Sequence, residues 1–312
     1  MTNQIMRRVI RAALEPGRDS RELVLEAGVD IRGLNYAFKA GIHTLYKFKP
    51  FLTARDEAHV REILVDNKIY FARADELKDK TELQIRHEIW GDKADPETRR
   101  RVVADSERLM RAEVPTIPEN SIQLQLRRLE TADLAFVEQE ASRTSNESLR
   151  REFPVFSMAI RNTEPLHWKE YAGDSTGLCI HFDATSYDAA SVDSPFSVAR
   201  LVEYMPARPP IPIPLNIEGT EVARRIALTK PLSYVGEIEY RLVVCKGYSA
   251  GIEIVGQKGK FGARHIVGVT IGERMSDMQI AKVAAMAQHR DPAIPLSIAR
   301  ETPTGIRISP FP

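Results

Sequence analysis

From residue 44 onward short apolar runs alternate with amphipathic stretches, and each change of period predicts an element. Thr44 to Phe48 alternates as a strand. Asp56 to Val65 repeats at helical spacing behind Thr53, whose hydroxyl is placed to cap it, and Ile69 to Ala72 follows the turn Asp66-Asn67-Lys68 as a second strand. Between Trp90 and Glu152 charges of both signs crowd Asp92 to Glu113, and Ile122, Leu126, Leu129, Ala132 and Phe136 then recur at helical spacing. Beyond it the pattern predicts strand Val155 to Ile160, a helix around Pro165 to Tyr171 released by Gly173, and strand Leu178 to Phe182. Ser197 to Tyr204 reads as a strand leading into Pro206 to Pro214, whose five prolines predict an extended, polyproline-like loop. Glu218 to Lys230 reads as a helix and Glu237 to Val244 as a strand. Ile266 to Ile271 and Ile294 to Ala299 bracket a helix opened by the capping box Ser276 to Gln279.

Strands and helices mix without steady alternation and without internal repeats. This predicts an α+β fold: a mixed β-sheet core, flanking helices and a helical insertion at about 91–152, all in one domain over 43–312. Residues 1–42 read as a short helical N-terminal arm, with Met6, Ile10 and Ala13 on one face and Pro16-Gly17 ending the first segment.

Composition narrows the class rather than the function. With 312 residues, 43% hydrophobic and 28% charged, the chain has core enough to fold without staples, which excludes disordered, collagenous and membrane-spanning classes. A formal net charge of +1 gives no global pull toward nucleic acid or acidic lipid. Cys179 and Cys245 lie in apolar runs and read as reduced thiols, and Arg7, Arg8 and Arg11 are followed by no apolar run of signal-peptide length. The expectation is a cytoplasmic protein with no membrane partner.

Several motifs have simpler readings. Gly173-Asp174-Ser175-Thr176-Gly177 matches the nucleophile-elbow pattern, but a helix precedes it and a strand follows, the reverse of what the strained serine needs. Gly256, Gly259 and Gly262 precede a strand rather than a helix, so they predict a hairpin loop between Ile252 to Val255 and Ile266 to Val269, not a phosphate site. The histidines are scattered without a helical pair, and no metal site is expected. Arg99-Arg100-Arg101, interleaved with Glu97, Asp105 and Glu107, reads as a solvated helix face.

What remains is a constellation of polar and aromatic residues in apolar contexts: Leu45-Tyr46-Lys47-Phe48, Asp79 to Glu82, His167-Trp168-Lys169-Glu170-Tyr171-Ala172 and Gly236-Glu237-Ile238-Glu239-Tyr240-Arg241. Strand alternation in the last would put Glu237, Glu239 and Arg241 on one face and Ile238 and Tyr240 on the other. At these residues, and from about Thr44 to the C-terminus, the chain resembles a bacterial domain-of-unknown-function family, number twenty-nine seventy-one of that series. That family opens with L-Y-K-[YF], has F-S leading to M-W-x-x-Y-A, and carries a lysine some residues before E-x-E-[YW]-R. Leu45 to Phe48, Phe156-Ser157, Trp168 with Tyr171-Ala172, Lys230 and Glu237 to Arg241 match it. Lys78 to Glu82 keeps only the acidic residues of the family's N-D-P-[FL]-[ED], and His167 stands where the family has methionine.

The opening strand-helix-strand and the late E-x-E are similar, more remotely, to the ADP-ribosyltransferase superfamily. That resemblance implies cleavage of the nicotinamide glycosidic bond of NAD, as co-substrate, and transfer of ADP-ribose to a macromolecular acceptor, nucleic acid or protein, in a defence or toxin-like role. It implies Glu239 at the ribose, where a carboxylate stabilises an oxocarbenium-like state, and Glu237 beside it to position or deprotonate an acceptor. Lys47 would hold pyrophosphate, with Tyr46 beside it on the first strand. Trp168 or Tyr171 would stack on nicotinamide, and Lys230 and Arg241 would complete the cluster. Lysine in place of the superfamily's Arg or His is a departure, as is the placing of Tyr171 on a helix. The alternative is a non-catalytic binding or interaction module of the same fold, in which the Lys47, Glu239 and Arg241 cluster is a structural ion network. An enzyme needs Glu239 and an aromatic to border an open pocket of dinucleotide size; a structural network is closed and mutually satisfied.

Overall fold

A computed structural model of the chain describes residues 36–77, 82–113, 116–149, 154–185, 194–213, 219–244 and 252–311. The expected helical arm, apart from its last residues, lies outside them, as do Asp79 and Cys245. In chain order the elements begin β1 (Thr44–Lys49), α1 (Ala54–Leu64), β2 (Lys68–Tyr70), β3 (His87–Ile89), α2 (Pro96–Glu113), α3 (Glu119–Thr131) and α4 (Leu134–Leu149). They continue β4 (Val155–Ala159), α5 (Pro165–Glu170), β5 (Leu178–Asp183), β6 (Arg200–Leu201), β7 (Glu203–Met205), β8 (Ile211–Ile213), α6 (Gly219–Ala227) and β9 (Thr229–Pro231). The last are β10 (Glu239–Val243), β11 (Glu253–Val255), β12 (Lys258–Lys260), β13 (Ile266–Gly272), α7 (Asp277–Gln288), β14 (Leu296–Thr302) and β15 (Gly305–Pro310). The fold is mixed α+β with a mixed sheet core, and it divides into two compact units. One comprises the chain as far as Ala72, Pro154–Tyr204 and the chain from Lys230 onward; the other comprises Arg73–Phe153 and Met205–Thr229.

The first unit is built on an eight-stranded sheet in the order β15-β14-β13-β5-β1-β4-β10-β6. All its neighbours are antiparallel except β13 and β14, which α7 joins as a parallel pair. One face carries Leu45, Phe156, Ile180, Phe182 and Ile271, which form one core with Val60, Ile63 and Leu64 of α1 and Val283 and Met286 of α7. The other face carries Phe48, Ala159 and Cys179, covered by Trp168 of α5. Both capping expectations hold: Thr53 and Ser276 each accept from a backbone N–H three residues on, and Asp56 and Gln279 reach back. Ala37 and Ile42 are buried, and Ala37 N–H donates to Ala199 O at 2.9 Å, so the end of the expected arm belongs to this core.

Four expectations are corrected. The hairpin is not closed by Ile266 to Val269. It joins β11 to β12 through Gly256-Gln257, with Gly256 at φ +64°, and β12 pairs on with β2 into a three-stranded sheet. A turn that tight needs the left-handed glycine, and this fixes the register locally. Ser197 to Tyr204 is not one strand but a 3₁₀ turn, β6 and β7. The helix expected to run to Lys230 ends at Ala227. The proline-rich loop contains β8, whose Pro212 is tolerated because a two-stranded pair has free edges.

In the second unit β3 and β8 form that parallel pair, with Ile89, Val102 and Leu134 as a small core. The expected helical insertion is three helices, α2 to α4. One row of α4 binds the backbone of β3 and the residues before it. Glu138 accepts from Ile89 N–H at 2.6 Å and Ser142 from His87 N–H at 2.8 Å. Asn146 accepts from Ile85 N–H at 2.6 Å and donates to Ile85 O at 2.9 Å. Four residues of helix advance about 6 Å and two residues of strand about 6.6 Å, so the two repeats keep step.

Candidate functional site

The site lies wholly in the first unit, and it forms because four charged residues sit close in sequence around a tight turn. Lys230 precedes a 3₁₀ turn, Leu232–Glu237, and β10 begins at Glu239. Glu237 is therefore not on the strand, as alternation predicted. Between the two glutamates Ile238 takes the left-handed conformation, φ 40° and ψ 64°, which is costly for a β-branched residue. That kink turns both carboxylates onto one ammonium: Lys230 Nζ donates to Glu237 Oε2 at 2.6 Å and to Glu239 Oε2 at 2.9 Å. Arg241 closes the other side, Nε to Glu239 Oε1 at 2.6 Å and Nη2 to Glu239 Oε2 at 3.0 Å. Tyr171, at the C-terminus of α5, donates its hydroxyl to Glu237 Oε1 at 2.8 Å, and the backbone N–H of Glu239 donates to Tyr204 Oη at 2.9 Å.

Lys230, Glu237, Glu239 and Arg241 are all buried, Arg241 to 1% exposure. Their environment separates the two bases. Burial opposes the charge of Lys230, yet Glu239 and Glu237 hold it protonated above the ordinary lysine range. For Arg241 burial dominates and brings its pKa down to about 9. Burial, and then the Glu237 carboxylate, push the Tyr171 phenol above its usual range. Taking ions out of water costs several kcal/mol each, so such a cluster holds only if every group is paired, as here.

The remaining sequence-predicted residues are near but do not join the network. Tyr46 and Glu239 flank Ala159 from its two neighbouring strands, and Tyr46 meets His181 edge-to-face at 5.0 Å. Lys47 donates to Ser157 O at 2.7 Å and lies 5.0 Å from the centre of the Phe156 ring. Burial, with Lys49 adding repulsion, lowers its pKa to about 7. Trp168 is a core residue, 1% exposed, crossing Phe48 at 5.2 Å with its indole N–H on Asn162 O at 2.6 Å. It has no free face to stack on a ligand. A shallow crevice lies beside Glu237, lined among others by Arg161, Glu164 and His167, and it encloses no space of water size. Pockets for drug-sized ligands run to roughly 300–1,000 Å³, so a dinucleotide does not fit it.

Three participants were not legible as such. Tyr204 carried no signal beyond being aromatic. His167, a departure from the family's methionine, stacks on Phe48 at 5.2 Å, and its buried Nδ1 has no partner among the described residues; burial lowers its pKa to about 4. The strain at Ile238 has no sequence signal, because isoleucine normally favours strand geometry. Gly173 to Gly177 is a close backbone joint rather than a nucleophile elbow. Gly173, Asp174 and Ser175 all have positive φ, Gly272 N–H donates to Gly177 O at 2.8 Å, and a Cβ on Gly272 would sit 2.1 Å from Ser175 O. Among the described residues no group of three or more His, Cys, Asp or Glu could hold a metal ion, and no helix is long and apolar enough to cross a membrane. Comparison of the chain with protein-family models, with curated proteins and with solved structures gives no match.

Proposed function

We propose that this chain is a non-catalytic binding module for a macromolecule, nucleic acid or protein, and that its E-x-E cluster is a structural ion network. One observation carries this reading: every carboxylate oxygen of Glu237 and Glu239 is taken by Lys230, Arg241 or Tyr171 in a buried, closed arrangement. A glutamate working at a ribose needs a free oxygen beside an open pocket, and the adjoining crevice is too small for NAD.

A second reading keeps the ADP-ribosyltransferase-like architecture and NAD as co-substrate, with Glu239 and Glu237 catalytic once the network opens. Ile238 favours it, because backbone strain of this kind gathers at functional sites. Nicotinamide release from NAD, with and without lysate as acceptor source, separates the two in wild type and Glu239→Gln. The binding-module reading expects no release and no shift of the wild-type melting temperature by NAD, with Glu239→Gln less stable. Release by the wild type that disappears in Glu239→Gln, in a variant shown to be folded at the assay temperature, would replace it with the enzyme.

A further inference from the structure

The three-stranded sheet β11-β12-β2 presents one covered and one open face. Ile69 on β2 and Gly259 on β12 form a register pair facing the core, where a Cβ on Gly259 would press on Ile252 and Phe71 at 2.6–2.7 Å. Alternation therefore puts Lys68, Tyr70, Lys258 and Lys260 outward, with Glu253 and Val255 of β11 beside them. All six are exposed, Val255 to 73% and Tyr70 to 36%.

The charge pairing on this face is mixed and leaves an excess of lysine. Lys260 stands between Glu253 of β11, which offsets it, and Lys68 of β2, and like charges opposed across two strands are destabilising. Lys258 is tied to Glu62 at 2.5 Å, whereas neither Lys68 nor Lys260 makes an ion pair among the described residues. Beside them Gln257 donates to the Tyr70 hydroxyl at 2.8 Å, holding the ring on the same face. Lys68 and Lys260, faced by the single carboxylate of Glu253, leave net positive charge beside an oriented aromatic ring and so combine a track for a charged backbone with a platform for a flat base.

We propose that this face binds a single-stranded nucleic acid, with Lys68 and Lys260 on phosphates and Tyr70 stacked on a base. A polyphosphate backbone supplies the negative charge that Glu253 alone does not, and Val255 adds apolar contact at the edge. The inference is independent of the network's role, since such a face serves a binding module or an enzyme with a nucleic-acid acceptor equally.

The test is fluorescence anisotropy with a labelled 15-nucleotide single-stranded DNA at low and rising salt, using the full chain. Lys68→Ala/Lys260→Ala is expected to bind at least about tenfold more weakly and to flatten the log–log salt slope by about 1.4, the share of two phosphate contacts. The same variant is expected to melt near the wild-type temperature, because the Lys68–Lys260 repulsion and the Lys260–Glu253 attraction are lost together; this separates lost binding from lost folding. Tyr70→Ala is expected to weaken binding about fivefold or more with little change in salt slope. Lys282→Ala, which removes a lysine paired with Glu57 on α1, serves as the control and is expected to bind as the wild type does. Wild-type protein that leaves the oligonucleotide free at low salt, or variants that bind unchanged, would overturn the proposal. Equal binding of polyglutamate, unaffected by Tyr70→Ala, would also overturn it and make this a face for acidic peptides.

Discussion

The two units put polar side chains to opposite uses. In the first, Lys230, Glu237, Glu239 and Arg241 pair with one another within a dozen residues of sequence, shaped by a turn and one left-handed isoleucine. In the second, Glu138, Ser142 and Asn146 each bind a backbone N–H 49 to 61 residues away. The cluster of charges is local and costly to bury. The row on α4 is long-range and inexpensive, since it satisfies amides that an unpaired strand edge would leave open. A charge network therefore depends on every member, whereas the row divides into separable contacts.

The sharpest way to break this contrast is Arg241→Met. It leaves Glu239 buried with Lys230 alone, and a loss of about 3–5 kcal/mol in urea unfolding is expected. A loss below about 1 kcal/mol would mean the carboxylates reach water and the network is not closed.

Lys47 gives the next effect, read as a pH profile. Its folded pKa of about 7 lies below the ordinary 10.5, so between these values the unfolded chain binds the extra proton and stability rises with pH. The penalty is fully present below pH 7 and relieved as pH climbs toward 10.5; Lys47→Met is expected to raise stability at pH 7 and remove that rise. His167 acts likewise at lower pH: with a folded value near 4 against 6.5, stability falls as pH drops from 6.5 toward 4, less so in His167→Phe.

Asn146→Ala orphans both the N–H and the C=O of Ile85, and a loss of about 1–3 kcal/mol is expected. Ser142→Ala on the same row should add to it independently, whereas Arg241→Met and Glu239→Gln should be strongly non-additive. Tyr171→Phe is the smallest change. The ring is partly exposed and loses one bond to Glu237, so about 1 kcal/mol is expected, with a sharper loss signalling that Tyr171 seals the network.

The same contrast explains what could be read from the chain beforehand. Thr53 and Ser276 were legible as caps because capping is decided within four residues, and Glu237 to Arg241 stood out because its members are neighbours, whereas Lys230 entered only through the family resemblance and Lys47 was expected in the network in its place. The α4 row was not legible, since Glu138, Ser142 and Asn146 look like any solvated helix face until Ile85 to Ile89 lie alongside. The proline-rich segment misled because proline chemistry describes its own residue and not the partner strand that β8 finds in β3. Alternation likewise placed Glu237 on a strand, while the turn and Ile238 delivered it to the same lysine by another route.

The large sheet also has a line of weakness. β1 shares six register pairs with β5 but only Tyr46–Ala159 with β4, and the Lys47 ammonium bonds to Ser157 O beside that line. Across one pair the backbone transmits little cooperativity, so what joins the β4-β10-β6 half to β5, β1 and β13 is the side-chain core that Phe156, Tyr240 and Leu242 share with Leu45, Phe182 and Ile271. The sheet is thus riveted through its side chains where its backbone seam is thinnest, beside the strands that carry Glu239 and Arg241.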